Sequence, residues 1–281
     1  MHIGVCLSGI DHDRYTRSQV REKALELSRR FHLDSVEMVI EGIGRRFAPY
    51  PWEWQEEEFR EVKAFLSQFS HSGVHLPFFG MNVICVNERV REEAMDQMRL
   101  AIEVAKRLEV DYAVVHATGT TEGLMTDREP QRQYKAFTRM LEWCKDSQLV
   151  LSIENAQNLH RIEDCAAMVR RLKNEDGFPA AMTFDTGHAN HPKDGKSIPF
   201  KPFGTISGAL EHCFDIINNI HLHNNDGTAD QHRGLWDGSA DLKECIGRLV
   251  DLGFQGSISL EVRPQPMELD REIETLLEWV G

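Results

Sequence analysis

Leu149-Val150-Leu151-Ser152-Ile153-Glu154-Asn155 is a short apolar run that stops at a carboxylate. Runs of about five to seven residues, rich in Val, Ile and Leu, are what strands covered on both faces look like. The pattern recurs on either side of this stretch. Strands are predicted over residues 3–8, 35–40, 72–76, 111–116, 149–154, 180–185, 217–223 and 256–261. Helices are predicted between them, over 17–31, 55–69, 88–108, 130–147, 160–173, 205–215, 239–251 and 269–280. In 88–108, Val90, Ala94, Met98, Ala101, Ile102, Ala105 and Leu108 keep close to the 3.6-residue period. Gly177 and Gly253 stand as stop signals after two of the helices. Strands and helices in strict alternation imply an α/β fold closed on itself, a (β/α)8 TIM barrel. An open doubly wound sheet would usually carry a glycine-rich phosphate loop after its first strand. Ser8-Gly9-Ile10-Asp11 stands there instead.

The chain has 281 residues, of which 41% are hydrophobic. Barrels of this kind occupy about 250 residues as one domain, so residues 1–281 are expected to form a single one. Residues 192–204 hold three prolines and read as a long internal loop. With 32 basic against 45 acidic residues the net charge is −13, which speaks against nucleic acid as a partner, because Lys and Arg supply most non-specific affinity. Carboxylates that hold cations would inflate that figure. The six cysteines form no C-x-x-C pair and read as reduced thiols. No leader-like segment and no apolar run of about 18 residues is present, so a cytoplasmic, membrane-free protein is expected.

The strand ends carry the chemistry, because barrels of this type build their sites at the C-terminal ends of the strands. Strand three ends at His75, in His75-Leu76-Pro77-Phe78, and strand four at His116. Strand five ends at Glu154 and strand six at Asp185, in Asp185-Thr186-Gly187-His188. Strand seven carries His221 and His223, and the loop after it Asp230 and His232; strand eight ends at Glu261. Burying a carboxylate after an apolar run is costly unless it is paired or bound to a cation. Imidazole and carboxylate suit zinc and also manganese. Any one of these histidines alone reads as a hydrogen-bonded structural residue, and Glu154 or Glu261 alone as half of a buried ion pair. Six successive strands ending this way point to one shared metal site. His221 and His223 are two residues apart and so face the same side of a strand. The remaining histidines, His2, His12, His32, His71, His160, His191 and His212, read mostly as surface residues.

From strand two to strand eight these residues resemble the xylose-isomerase-like barrel superfamily, which includes endonuclease IV and many sugar isomerases and epimerases. The resemblance implies one metal held by Glu154, Asp185, His221 and Glu261, with His223 as the other choice on strand seven, and His188 touching substrate. It also implies that His75, His116, His188, Asp230 and His232 match the positions that complete a three-zinc cluster in endonuclease IV, so one to three zinc or manganese ions are expected. The chain departs from endonuclease IV in having Phe78 where that enzyme has Tyr. After strand one it offers Asp11, His12, Asp13 and Arg14, with no intercalating cluster.

The leading expectation is therefore a sugar or sugar-phosphate isomerase or epimerase acting on a small carbohydrate. Glu154 and Glu261 would exchange a proton beside a carbonyl, and His188 would orient an oxygen. Arg233 is a candidate for a substrate phosphate or carboxylate, and Phe78 and Trp236 for the pocket wall. The alternative is a trinuclear-zinc phosphodiesterase acting on abasic DNA; a binding protein or a lyase is a third. Association into homo-oligomers through the outer helices is open to such a barrel.

Overall fold

A computed structural model describes residues 1–10, 15–41, 47–119, 129–193, 197–263 and 269–281. Asp11, His12, Asp13 and Arg14 lie outside the described residues. The apolar runs form β1 (His2–Cys6), β2 (Ser35–Val39), β3 (His71–His75), β4 (Tyr112–Val115), β5 (Val150–Glu154), β6 (Ala180–Asp185), β7 (Ile217–Leu222) and β8 (Ser257–Leu260). Each pairs in parallel with its sequence neighbour, and β8 returns to β1, so the sheet is a closed barrel.

Around it run α1 (Arg17–Phe31), α2 (Glu56–Leu66), α3 (Glu88–Leu108), α4 (Glu129–Cys144), α5 (Ile162–Arg170), α6 (Thr186–Asn190), α7 (Ile206–Cys213), α8 (Leu242–Asp251) and α9 (Leu269–Val280). Thr16 closes a capping box on α1 with Gln19, and Asn87, Thr205 and Asp241 cap α3, α7 and α8 through their side chains. The described residues hold one α-helix more than the sequence pattern predicts. The extra one is α6, five residues long and too short to show a period. The helix predicted over 160–173 becomes α5 followed by one π-helical turn, Arg171–Glu175. No helix among the described residues is long and apolar enough to cross a membrane.

Leu, Ile, Val and Met side chains between strands and helices form the main apolar core. Inside the barrel, polar side chains take their place. Tyr112 donates its hydroxyl to Glu37 at 3.0 Å and lies 3.2 Å from the Ser259 hydroxyl; Ser152 pairs with Thr183 at 2.6 Å, and Ser257 with Asn219 at 2.8 Å. The Tyr112 ring fits because β3 has glycine there: a Cβ on Gly73 would stand 2.1 Å from Tyr112 Cζ. Buried polar groups of this kind hold only when each finds a partner.

Burial also sets the cysteine chemistry. Cys6, Cys144, Cys165, Cys213 and Cys245 are buried and Cys85 is half-buried, all as free thiols. Burial pushes Cys144 and Cys213 up to about 12, and raises Cys6, Cys165 and Cys245 as well. These thiols stay protonated and unreactive at pH 8. N-ethylmaleimide labelling of native protein, read by peptide mass spectrometry, should modify Cys85 first and the other five only after unfolding. Fast native labelling of the buried five would contradict this packing.

Candidate metal centre

Side chains alternate between the two faces of a strand, so the inward positions are two residues apart. One step above Gly73, Val114, Ser152, Thr183, Asn219 and Ser259 stand His75, His116, Glu154, Asp185, His221 and Glu261. The strand-end residues thus share one volume at the C-terminal mouth. Glu154 is its centre. Oε2 lies 3.0 Å from His116 Nε2, 3.4 Å from His75 Nε2 and 3.3 Å from His221 Nδ1; Oε1 lies 2.8 Å from His188 Nδ1. Asp185 faces the same space: Oδ1 accepts the His188 backbone N–H at 2.6 Å as the cap of α6, and Oδ2 lies 3.1 Å from His223 Nε2. Glu261 Oε2 stands 3.1 Å from His221 Nδ1, while its Oε1 accepts the Ser8 hydroxyl at 3.3 Å. Above them, Asp230 Oδ2 lies 3.5 Å from His188 Nε2 and 3.3 Å from His232 Nε2.

Several imidazoles have one nitrogen anchored and the other turned inward. His75 Nδ1 pairs with the Leu76 carbonyl at 2.8 Å, and His232 Nδ1 with the Glu261 carbonyl at 2.8 Å. His221 Nε2 is held by Glu37, 2.9 Å from Oε1. Such anchoring fixes the tautomer and leaves the second nitrogen as a ligand. His116 Nδ1, His188 Nδ1, His221 Nδ1 and His223 Nδ1 are buried and find no hydrogen-bond partner. The His221 atom is the telling one: it sits among the carboxylates of Glu154, Glu261 and Asp185 without an aligned hydrogen bond to any of them. Orphaned nitrogens facing carboxylate oxygens are the donor set a divalent cation takes, so the residues fit a metal. Two groups have ligand atoms within 4.8 Å of one another in the inner mouth: Glu154, Asp185 and His221, and His75, His116 and Glu154. His223, His232 and Glu261 form another such group.

Charge here is balanced internally. Burial opposes ionisation of Glu154, but the neighbouring His116 and His221 outweigh it and hold the carboxyl well below its usual range. Asp185 is likewise lowered, against burial, by His188 and His223. Burial disfavours a charged His221, yet Glu37, Glu261 and Glu154 raise it well above the ordinary imidazole value. His116 goes the other way, lowered chiefly by burial.

Four residues of this region escape the sequence reading. Glu37, in mid-strand on β2, is wholly buried under His221, and also accepts from Tyr112 and Asn219. Glu41 is buried at the mouth and accepts the backbone N–H groups of Phe78 and Phe79. His160 and His191, expected at the surface, are buried at 6% and 8% exposure beside His188, because the chain after β5 and after α6 folds over the mouth. The substrate-wall candidates divide. Phe78 flanks the site, its ring 5.0 Å from His75 and 4.7 Å from His116. Trp236 does not: it is exposed and packs edge-on against Trp279 of α9, on the outside of the barrel. Arg233 is engaged by Asp226 at 2.8 Å in a half-exposed pair, which leaves it no direct place in the cluster.

The chain belongs to the xylose isomerase-like TIM barrel family, whose sequence model matches residues 25–280. An uncharacterized protein of Methanocaldococcus jannaschii is 27% identical over 193 residues, 67% of this chain and 63% of that protein. Fructoselysine 3-epimerase of Shigella flexneri is 20% identical over 183 residues, 64% of this chain and 63% of that enzyme. The chain therefore spans about 63% of the length of the curated relatives it matches. Among solved structures, a D-tagatose 3-epimerase-like protein superposes with a TM-score of 0.77 at 24% identity, covering 100% of this chain and 98% of that one.

Removing one partner from a buried charged network leaves the others uncompensated, at a cost of about 3–5 kcal/mol. Glu37→Ala should lower unfolding free energy by about that amount, measured by urea denaturation. A loss under about 1 kcal/mol, as for an exposed pair, would show that Glu37 does not hold the network together.

Proposed function

We propose that this chain is a divalent-metal-dependent isomerase or epimerase of sugars or sugar phosphates, working by proton transfer beside a carbonyl. The observation that carries the reading is the pair of carboxylates that enter the mouth from strands three places apart in the ring. Glu154 on β5 and Glu261 after β8 lie 3.3 and 3.1 Å from the same unpartnered nitrogen, His221 Nδ1. Glu154, Asp185, His221 and Glu261 would hold the ion, with His223 as the further strand-seven candidate. When bound, zinc or manganese supplies Lewis-acid polarisation of a carbonyl and its neighbouring hydroxyl.

The protein groups supply the rest. Glu154 and Glu261 exchange the substrate proton, one taking it from and one returning it to the carbon next to the carbonyl. Glu261 is the more accessible of the two, with 12% of its side chain exposed against 1% for Glu154, so it meets an incoming substrate first. His188, held between Glu154 and Asp230, orients a substrate oxygen. Phe78 closes one wall and keeps water out. Similarity to fructoselysine 3-epimerase and to a D-tagatose 3-epimerase-like protein supports a ketose-type substrate. A second reading, a trinuclear-zinc phosphodiesterase acting on abasic DNA, draws support from the adjoining ligand groups. The net charge of −13 opposes it.

Glu154→Gln and Glu261→Gln should each cut turnover by about 10²–10⁴-fold while circular dichroism stays native. The assay is deuterium wash-in from D2O beside the carbonyl, followed by NMR over a panel of ketoses and ketose phosphates. Full activity in either variant would rule out the two-glutamate mechanism, and cleavage of abasic DNA with no wash-in would favour the second reading. Chelation should also lower Tm, and zinc or manganese should restore it, since an ion at about 100 times its Kd adds about 2.7 kcal/mol. An unchanged Tm with both ions would remove the metal from the proposal.

A further inference from the structure

We propose that the outer groove between α3 and α4 is a binding site for a small organic phosphate carrying more than one negative charge, separate from the metal centre. The groove encloses about 510 Å³, within the range of about 300–1,000 Å³ usual for small-molecule sites.

Helical spacing builds it. Arg132, Lys135 and Arg139 lie three and four residues apart and share one face of α4. Glu88, Arg91, Glu92 and Met95 keep the same spacing on α3, which packs against α4. Four cationic side chains thus line the groove against two carboxylates, in a chain whose net charge is −13. Buried Val83, Met95 and Ala136 give it an apolar floor.

The positive charge here is only partly matched. Arg91 and Arg139 share the carboxylate of Glu92: Arg139 Nη1 lies 2.9 Å from Oε2 and Arg91 Nε 3.7 Å from Oε1. Among the described residues Arg132 and Lys135 form no ion pair. Arg132 Nη1 donates instead to the Cys85 carbonyl at 3.1 Å, and Arg91 Nη1 donates to the same oxygen at 2.8 Å. Two guanidiniums brought to one carbonyl repel each other, and an anion bound beside them relieves that repulsion. The donors they have left form the fork that suits phosphate oxygens, and Lys135, exposed at the rim, adds a point charge for a second phosphate. Glu88 and Glu92 bound the positive field on the α3 side, which favours a compact anion over a long strand. The apolar floor then takes the body of the molecule, a base or a sugar ring.

The test is isothermal titration calorimetry with three probes: pyrophosphate, ADP and fructose 1,6-bisphosphate. ADP or the bisphosphate should bind once per chain and more tightly than pyrophosphate, and the better of the two identifies the body as nucleoside or sugar. Removing two charge-assisted contacts in the Arg132→Gln/Lys135→Gln double variant should weaken that binding at least about tenfold. Glu88→Gln, which takes away a like charge, should strengthen it. If the double variant does not fold, Lys135→Gln alone, at an exposed position, should weaken binding in the same sense. No binding of any probe would overturn the site. Equal affinity in the substituted and unaltered proteins would overturn it too, by placing the phosphate elsewhere, the mouth of the barrel included. Pyrophosphate binding as tightly as both organic probes would overturn the role of the floor and with it the organic class of ligand.

Discussion

A carboxylate shut away from water needs a counter-charge at contact distance, and the upper half of this barrel is organised around that need. Glu37, Glu154 and Asp185 are essentially without solvent contact, and Glu261 is partly buried beside them. Around them stand His75, His116, His188, His221 and His223, each able to take up positive charge or offer a lone pair. The polar floor of Tyr112, Asn219 and Ser259 seats Glu37, which in turn fixes the orientation of His221. Removing the imidazoles would leave carboxylates that could stay in place only by protonation.

The fold was legible because most strands are short apolar runs and most helices periodic ones, although β3 (His71-Ser72-Gly73-Val74-His75) and β7 carry several polar residues. The clustering of the candidate site's side chains was legible because strands three to eight end on or just before an ionisable residue, a signal that needs no tertiary knowledge. Glu37 gives no such signal. It lies between Val36 and Met38, where a lone carboxylate reads as a solvent-facing strand position, and only its contacts with β4, β7 and β8 show that it faces inward. His160 and His191 escaped for a related reason: both sit in connecting segments, whose burial depends on where the chain turns rather than on any local period. Trp236, a candidate for the pocket wall, is instead exposed against Trp279, because after His232 the chain has already turned outward toward α9.

The β6–α6 junction concentrates several roles in few residues. Asp185 ends the strand, caps the helix through Oδ1 and presents Oδ2 to the cluster, with no intervening loop. Gly187 then lets the chain run against His223: a Cβ there would stand 1.9 Å from its Cε1. The sequence Asp185-Thr186-Gly187-His188 is therefore constrained at each position by a different contact, Thr186 through its hydroxyl on the carbonyls of His221 and His223.

The hydrogen bond between Glu37 and His221 spans 184 residues, and the one between Glu37 and Ser259 spans 222. Contacts of that reach form only when the ends of the ring have met, and closing so long a loop costs more entropy than pairing consecutive strands. A ring lacking any one of its later strands would have no complete mouth to offer. Whatever binds there acts as a clasp on the finished circle, favouring it over every partly assembled form, and so couples the ability to bind to the completeness of the fold.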